Sequence, residues 1–521
     1  MTILASPLII PSHRWVQEPH AFDSAPLHAL ADFAPHVEKC TLPTHWLLAR
    51  HLLIWLKRTP ESSYRAVYTL SYRLEIESIP LAFLRFWAGI FGAVSLTDLT
   101  VPTPRPIRAM VVFGTRPEAI KLLEVIRLLR HDPRFKAVIV TTGQHRQMVD
   151  QILTPFGVRL DHDLGIMEPG QTLNGIVGRA VPALDRLYEA KRPDIVIVQG
   201  DTTSAFCAGL AAFNRKIPVA HVEAGLRSFD RSHPYPEEIN RRMLSALVDL
   251  HFPPTEQSAA NLTREGLPRE DIVVTGNTVV DTLLLTLRSD LGPGAEVAAL
   301  PGGPNGAAPV LITLHRRETW AALPAARGSV KSGSEASIAP LGPILKCIRT
   351  VAEAHPDVPF IYPVHLNPMV QEPAHRLLGG VPNVHLTMPL AYIPFVHLMA
   401  RSRLILSDSG GVQEEAPSLG VPVLIVRETT ERPEAVDAGL NRLVGIEPER
   451  IRRELTKALS RTNSLVPKPH LNPYGDGLAH KRIGQSILHF FSRAKRPTEF
   501  QAPIQPVHSD YKTPRQGAVH G

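Results

Sequence analysis

The sequence predicts an α/β protein made of two successive Rossmann-like halves, and three observations carry that expectation. From Arg108 onward, short Val/Ile-rich runs alternate with longer amphipathic segments, a rhythm that implies βαβ units and parallel sheets. A Gly/Pro-rich break from Leu291 to Ala308 interrupts the rhythm, which then restarts. Several apolar runs end in carboxylates, glycines or basic residues, where open parallel sheets place their ligands.

Strand candidates in the first half are 108–113, 136–141, 194–199, 216–221 and 271–275. In the second half they are 309–314, 358–363, 383–386, 403–407 and 422–426. The expected domains are therefore 107–290 and 291–480, with 481–493 as a helix returning to the first. Residues 494–521 are polar and rich in Pro, Gln and His, and are expected to be a disordered tail. Residues 1–106 form an extra, mainly helical N-terminal region, with helix-like stretches at 46–57 and 62–77. That region ends in Val101-Pro-Thr-Pro-Arg-Pro106, where repeated proline favours extended chain. Its apolar stretch 79–96 is short for a membrane span and is interrupted by Pro80 and Arg85. A helix packed on the protein or lying on a membrane surface fits better, so a peripheral membrane contact through 1–105 is one expectation. Residues 321–340, rich in Ala, Gly, Ser and Pro, are expected to be a flexible surface insertion.

Composition narrows the function classes. A chain of 521 residues exceeds one compact core, and 44% apolar with 20% charged residues is ordinary for globular proteins. The net charge of +7 suits an anionic ligand but is spread along the chain, and no long Lys/Arg run marks a nucleic-acid surface. Cys40, Cys207 and Cys347 lie far apart, without metal-ligand or disulfide spacing. Ile3 to Ile10 lacks the basic flank and cleavage pattern of a secretory signal, so a cytoplasmic protein with reduced thiols is expected.

The most informative pair of motifs ends two neighbouring strands. Asp194-Ile-Val-Ile-Val-Gln199 runs into Gly200-Asp201-Thr202-Thr203, and Lys216-Ile-Pro-Val-Ala-His221 runs into Val222-Glu223-Ala224-Gly225. Asp201 and Glu223 should face one cleft, and paired acids are equipped for proton transfer. The bland alternative is that Asp201 only caps the helix starting at Thr202.

Three further motifs point to an anionic ligand. In Gly114-Thr-Arg116-Pro-Glu-Ala-Ile-Lys121 a strand turns into a helix whose free N–H groups, with Arg116 and Lys121, would form an anion site. The motif is neither a Walker loop nor a dinucleotide fingerprint. In Asp408-Ser409-Gly410-Gly411-Val-Gln-Glu-Glu415 a strand enters a glycine turn that lets a phosphate approach the backbone. Glu415, one turn further, suits the two hydroxyls of a ribose, so a nucleoside diphosphate fits better than free phosphate. His315-Arg316-Arg317-Glu318 ends the first strand of the second half, where a histidine can move a proton or hold a diphosphate oxygen. Pro389-Leu-Ala-Tyr-Ile-Pro-Phe395 offers either an aromatic face to a base or a piece of core. Thr429-Thr-Glu-Arg432-Pro-Glu434 places an arginine near the cleft or in a surface ion pair.

Together these strings, with GQHRQM (143–148), PEEINRR (236–242), TGNTVVD (275–281) and YPVHLNP (362–368), resemble in order and spacing the non-hydrolysing UDP-N-acetylglucosamine 2-epimerases of bacteria. The resemblance spans roughly residues 107–490. It implies a GT-B-like fold, a central cleft and interconversion of UDP-N-acetylglucosamine with UDP-N-acetylmannosamine, without cofactor or metal and in a homodimer. It also implies that Asp201, Glu223 and Glu237 form the acid/base group, with His315 at the diphosphate or in proton transfer. Arg116, Lys121, Ser409, Gly410, Gly411, Glu415, Phe395 and Arg432 would bind the nucleotide sugar. Leu390 stands where some relatives carry a polar residue, leaving only its backbone for a uracil contact. Gln144, His145, Gln147, Arg316 and His365 match positions where some relatives hold a second, regulatory substrate molecule. The family's short Gly-rich turn after HRRE is replaced by Thr319-Trp320 and the 321–340 insertion, which leaves loop closure and regulation open. The competing readings are a hydrolysing relative that releases N-acetylmannosamine, a GT-B glycosyltransferase, and a scaffold working through residues 1–105.

Overall fold

The computed structural model describes residues 104–143, 146–168, 170–302, 306–315, 341–460 and 472–503. Residues 1–103, Gln144, His145, Arg316 and the 321–340 insertion lie outside the described residues, as does the side chain of Gln147. No described helix is long and apolar enough to cross a membrane.

The first lobe runs β1 (Ile107–Phe113), α1 (Arg116–His131), β2 (Phe135–Thr141), α2 (Arg146–Leu153), β3 (His162–Asp163), α3 (Leu173–Lys191), β4 (Ile195–Gln199), α4 (Thr203–Asn214), β5 (Val219–Val222), α5 (Glu237–Ser245), β6 (Leu250–Phe252), α6 (Glu256–Arg264) and α7 (Thr278–Arg288). The second runs α8 (Gly294–Ala298), β7 (Val310–Thr313), α9 (Leu341–Ala354), β8 (Phe360–Pro363), α10 (Pro368–Leu378), β9 (Val384–Thr387), α11 (Tyr392–Arg401), β10 (Leu404–Ser407), α12 (Gly410–Leu419), β11 (Val423–Ile425), α13 (Glu434–Asp437), β12 (Asn441–Leu443), α14 (Pro448–Ser460) and α15 (Ala479–Phe490).

Each lobe holds a six-stranded parallel sheet of the same order, β3-β2-β1-β4-β5-β6 and β9-β8-β7-β10-β11-β12. The chain reverses its direction of travel across the sheet between β1 and β4, and again between β7 and β10. Those two switch points are where crevices open beyond the strand ends in doubly wound sheets. β4 and β7 are buried at every position, as near-continuous apolar strands covered on both faces should be.

Two sequence expectations, on residues 271–275 and on the start of the tail, need correction, and four short elements were not expected. Residues 271–275 do not form a ladder strand. Ile272 makes one isolated bridge to His251, and the N–H groups of Val273 and Thr275 reach the carbonyls of His251 and Pro253 at 2.9 and 3.0 Å. The apolar run is therefore extended and buried, but it only trails along the edge of β6. β3, β6 and β12 were missed because two or three residues carry no readable alternation. The 291–308 break contains the short α8, and its flanks are tied to α11: His397 bonds the Leu291 carbonyl at 2.8 Å and Arg401 those of Val297 and Leu300 at 3.0 Å. Finally, the chain from 494 to 503 is held rather than disordered. Phe500 is 4% exposed, its N–H reaches the Val274 carbonyl at 2.8 Å, and Glu499 pairs with Arg269 at 2.7 Å. One large aromatic burial supplies what the polar composition concealed.

The lobes share one apolar core. Val279, Val280 and Leu283 of α7 belong to the same cluster as Val396, Val412 and Ala416 of the second lobe. α7 packs on α11 and α12, and α15 packs back on α1 and α7.

Candidate active site

The first switch point is tightly built. Gly114 follows β1, and a Cβ there would stand 2.4 Å from Ser204 Oγ and 2.5 Å from Thr142 Oγ1. Only glycine lets the β1 turn approach α4 so closely. Glu118, 1% exposed, accepts the N–H groups of Gly114 and Thr115 at 3.1 and 2.8 Å and the hydroxyls of Thr115 and Thr202 at 2.7 and 2.8 Å. This corrects the anion site expected at the start of α1: Glu118 itself takes those backbone donors, as one half of a capping box. Burial, opposed by those four hydrogen bonds, pushes the Glu118 carboxyl up to about 7.

Asp201 does not cap α4. Thr202 is the N-cap, and its hydroxyl accepts the Ala205 N–H at 3.0 Å. The Asp201 carboxylate instead meets Arg241 of α5, with Nε at 2.8 Å and Nη2 at 2.6 Å from Oδ2, while Asn240 Nδ2 donates to the Asp201 carbonyl at 2.9 Å. Glu237, the expected third acid, is half-buried at the start of the same helix.

Glu223 ends β5 in the left-handed region, at φ +65°, where a residue with a Cβ is strained. Its backbone N–H is held by the Phe252 carbonyl at 3.0 Å. Its carboxylate is contacted by Lys121 and Gln199, and by Asn277 Nδ2 at 3.3 Å. Lys121 also reaches across the lobes to Glu414 Oε2 at 3.5 Å. Burial works to lower the Lys121 ammonium, but Glu223 and Glu414 outweigh it and hold its pKa above the ordinary value. Glu414 in turn accepts from Arg432 Nε at 2.6 Å, and Arg432 pairs with Glu431 at 2.6 Å. Arg432 is thus neither a free cation nor a surface pair, but part of a buried network that crosses the lobes.

At the second switch point His315 lies just beyond β7 and Asp408 just beyond β10. Fully buried Asp408 accepts the His315 N–H at 2.9 Å, and His315 Nδ1 stands 3.3 Å from its carboxylate. The His315 ring stacks on His365, with centroids 6.1 Å apart. Ser409 is the N-cap of α12 and donates its N–H to Ser407 Oγ at 2.9 Å, so Gly410 and Gly411 open the helix at the crevice. Glu415, 5% exposed, accepts from the Tyr392 hydroxyl at 2.9 Å. Burial pushes the Glu415 carboxyl up to about 7, with Glu414 adding to the rise and Tyr392, Lys121 and Arg116 opposing it. Because Glu118 and Glu415 both titrate above the ordinary 4.5 when folded, their protonated forms favour the fold. That contribution is full below about 4.5 and fades as pH rises through about 7.

Arg116, at the head of α1, lies within electrostatic reach of Tyr392 and Glu415 of the second lobe. Burial lowers its guanidinium pKa, against the pull of Tyr392 and Glu415. Leu390 and Phe395 are partly buried and pack against the shared core. Among the described residues no group of three or more His, Cys, Asp or Glu side chains is placed to hold a metal ion.

The structure sets Asp201, Glu223 and Lys121 beside the first switch point and His315, Ser409 and Glu415 beside the second, where sequence reasoning expected all six around one cleft. That reasoning missed Glu118, Arg241, Glu414 and the strap Asn472–Gly475. In that strap the Tyr474 hydroxyl donates to the Arg432 carbonyl at 2.9 Å, while the Tyr474 carbonyl accepts the Asn277 N–H at 2.6 Å. A Thr-x-x-Glu capping box was the available signal for Glu118, and Asn-Pro-Tyr-Gly is a visible turn signal for the strap.

A pair of facing Rossmann-like sheets, with acids at one switch point and a glycine-opened helix and histidine at the other, defines a GT-B-like protein. Comparison with known proteins narrows this further. The family model described as UDP-N-acetylglucosamine 2-epimerase matches residues 127–488. A probable UDP-N-acetylglucosamine 2-epimerase of Ralstonia solanacearum is 44% identical over 391 residues, which is 74% of this chain and 100% of the relative. The UDP-N-acetylglucosamine 2-epimerase of Escherichia coli K12 is 45% identical over 387 residues, covering 73% of this chain and 98% of the relative. The crystal structure of UDP-GlcNAc 2-epimerase from Neisseria meningitidis bound to UDP-GlcNAc superposes with a TM-score of 0.66 at 42% identity, covering 74% of this chain and 100% of that one. The chain belongs to the UDP-N-acetylglucosamine 2-epimerase family.

Proposed function

We propose that the protein interconverts UDP-N-acetylglucosamine and UDP-N-acetylmannosamine without hydrolysis, supplying precursors of surface polysaccharide. The observation that carries this reading is Lys121, which touches Glu223 of the first lobe and Glu414 of the second, so acid/base and nucleotide-binding elements meet at one place. The same reading takes the protein as a cytoplasmic homodimer.

The chemistry follows from the substrate. The C2 proton is poorly acidic because no carbonyl is attached to C2, so a free carbanion is not accessible. Elimination resolves this: the C1–O bond to UDP breaks as the C2 proton leaves, giving a glycal and UDP in the cleft. UDP adds back to C1 while a proton arrives at C2 from the other face. Carboxylates must stand beside C2 to accept one proton and return another. Asp201, Glu223 and Glu237 take those roles. Charge developing on the departing diphosphate is stabilised by fixed donors, a role taken by Arg116, His315 and the Ser409–Gly411 helix start. Glu415 accepts from the ribose hydroxyls, with Arg432, Phe395 and the Leu390 backbone toward the nucleotide end.

Incubation with UDP-N-acetylglucosamine in heavy water tests the reading. Deuterium is expected at C2 of a product still linked to UDP. Free N-acetylmannosamine, or product without deuterium, contradicts it.

The raised Glu415 pKa sets a further expectation. Ribose hydroxyls donate best to the ionised carboxylate, whose fraction grows as pH passes about 7. The diphosphate of the sugar nucleotide, being esterified at both ends, does not titrate there. Calorimetric affinity for UDP-N-acetylglucosamine should rise by up to roughly tenfold from pH 6 to pH 8, and Glu415→Gln should flatten that dependence.

A further inference from the structure

Asp201 is held twice, in two different ways, by consecutive residues of α5. Asn240 fixes its backbone carbonyl at 2.9 Å, while Arg241 fixes its side chain, with both guanidinium contacts falling on Oδ2. Arg241 is itself immobilised. It is 7% exposed, Nη1 stands 3.4 Å from Glu238, and its carbonyl accepts the Ser245 hydroxyl at 2.9 Å. Glu238, fully buried, also accepts the N–H groups of Ser228 and Phe229 at 2.9 and 3.2 Å, anchoring the loop that follows the Glu223 motif. A rigid chain of contacts thus runs from that loop through Glu238 and Arg241 to one oxygen of Asp201. Glu237 and Arg241 are four residues apart on α5 and so share a helix face.

We propose that Arg241 is a positioning residue for the epimerisation: by occupying Oδ2 from a fixed direction, it leaves Oδ1 of Asp201 as the oxygen presented to the C2 proton. A planar, preorganised guanidinium suits this task, since it fixes carboxylate orientation as well as charge. Proton transfer depends steeply on such placement. Among the described residues Arg241 has no hydrogen bond or ion pair with the nucleotide-binding elements, so its effect falls on turnover and not on binding. The proposal rests on the epimerase reading, and its test separates the two.

Three Arg241 variants, with Asp201→Asn as a control, decide it, measured with the deuterium-exchange assay, steady-state kinetics and calorimetric binding of UDP. Arg241→Gln is expected to lower kcat by about 100-fold with KM and UDP affinity within about threefold of wild type. Arg241→Lys keeps the charge but not the fork and should fall between the two. Guanidinium added to Arg241→Ala should restore part of its kcat, whereas the same addition should do nothing for Asp201→Asn. A kcat for Arg241→Gln within about fivefold of wild type, or a folded Arg241→Ala that guanidinium leaves unchanged, overturns the proposal. If the two neutral variants fail to unfold cooperatively, Arg241→Lys decides: full kcat overturns it, and reduced kcat at unchanged KM supports it. Wild-type protein that incorporates no deuterium removes the epimerase reading, and the proposal with it.

Discussion

Asp201→Asn is expected to lower the epimerisation rate by roughly 10²–10⁴-fold, the contribution typical of a positioned acid or base, while UDP binds with nearly wild-type affinity. The substitution is close to isosteric. The amide oxygen can still accept from Arg241 Nε, now 2.8 Å from Oδ2, and the Asn240 bond to the backbone carbonyl is untouched. What disappears is the basicity needed at C2. The binding elements on α12 and β7 belong to the other lobe and have no contact with Asp201 in this network. Rate and UDP affinity should therefore separate cleanly, with kcat and kcat/KM falling together. A variant that turns over at nearly the wild-type rate removes Asp201 from the mechanism.

Lys121→Met carries the second large effect, and here stability moves as well. The ammonium stands between Glu223 and Glu414, both buried, and Glu414 Oε2 has no hydrogen bond among the described residues. Among the described residues, removing the cation leaves the Glu223 carboxylate with the amides of Gln199 and Asn277, and the Glu414 carboxylate with Arg432. Breaking a buried pair by deleting one partner typically costs about 3–5 kcal/mol, because a charge remains without compensation. Urea unfolding should show a loss of that order at an unchanged slope. Turnover should fall as well, because Glu223 then loses the cation that holds its carboxylate in place. A stability loss below about 1 kcal/mol, the range of surface ion pairs, would mean that Lys121 does not bind the two lobes together.

Much of this arrangement was legible because chemistry and topology coincide in the chain. β1, β4, β5, β7 and β10 are mostly aliphatic and lead into distinctive residues, and four of them flank the two switch points. A strand pattern ending in Gly-Asp or Val-Glu can therefore be placed at a crevice without coordinates. Side-chain direction within a helix is less legible. Glu414 and Glu415 are neighbours, yet one faces Lys121 and Arg432 while the other meets Tyr392. Adjacent residues on a helix point about 100° apart, and their identical chemistry hid which one bridges the lobes. Arg241 was hidden for another reason: it sits in the motif PEEINRR, where the acids draw attention and the arginine reads as a solvated face. The edge strand β6 was hidden by brevity, and the ordered tail by composition, since Phe500 is one apolar residue in a polar stretch.

The central claim is that the C1–O bond breaks inside the cleft while the first lobe handles the proton and the second holds UDP. It is tested most directly with UDP-N-acetylglucosamine carrying oxygen-18 in the bridge between C1 and the β-phosphorus. Once the bond breaks, the terminal phosphate can rotate before it adds back, so the label should spread to the non-bridging oxygens at a rate comparable with epimerisation. Label that stays wholly in the bridge while the C2 configuration inverts would contradict the account.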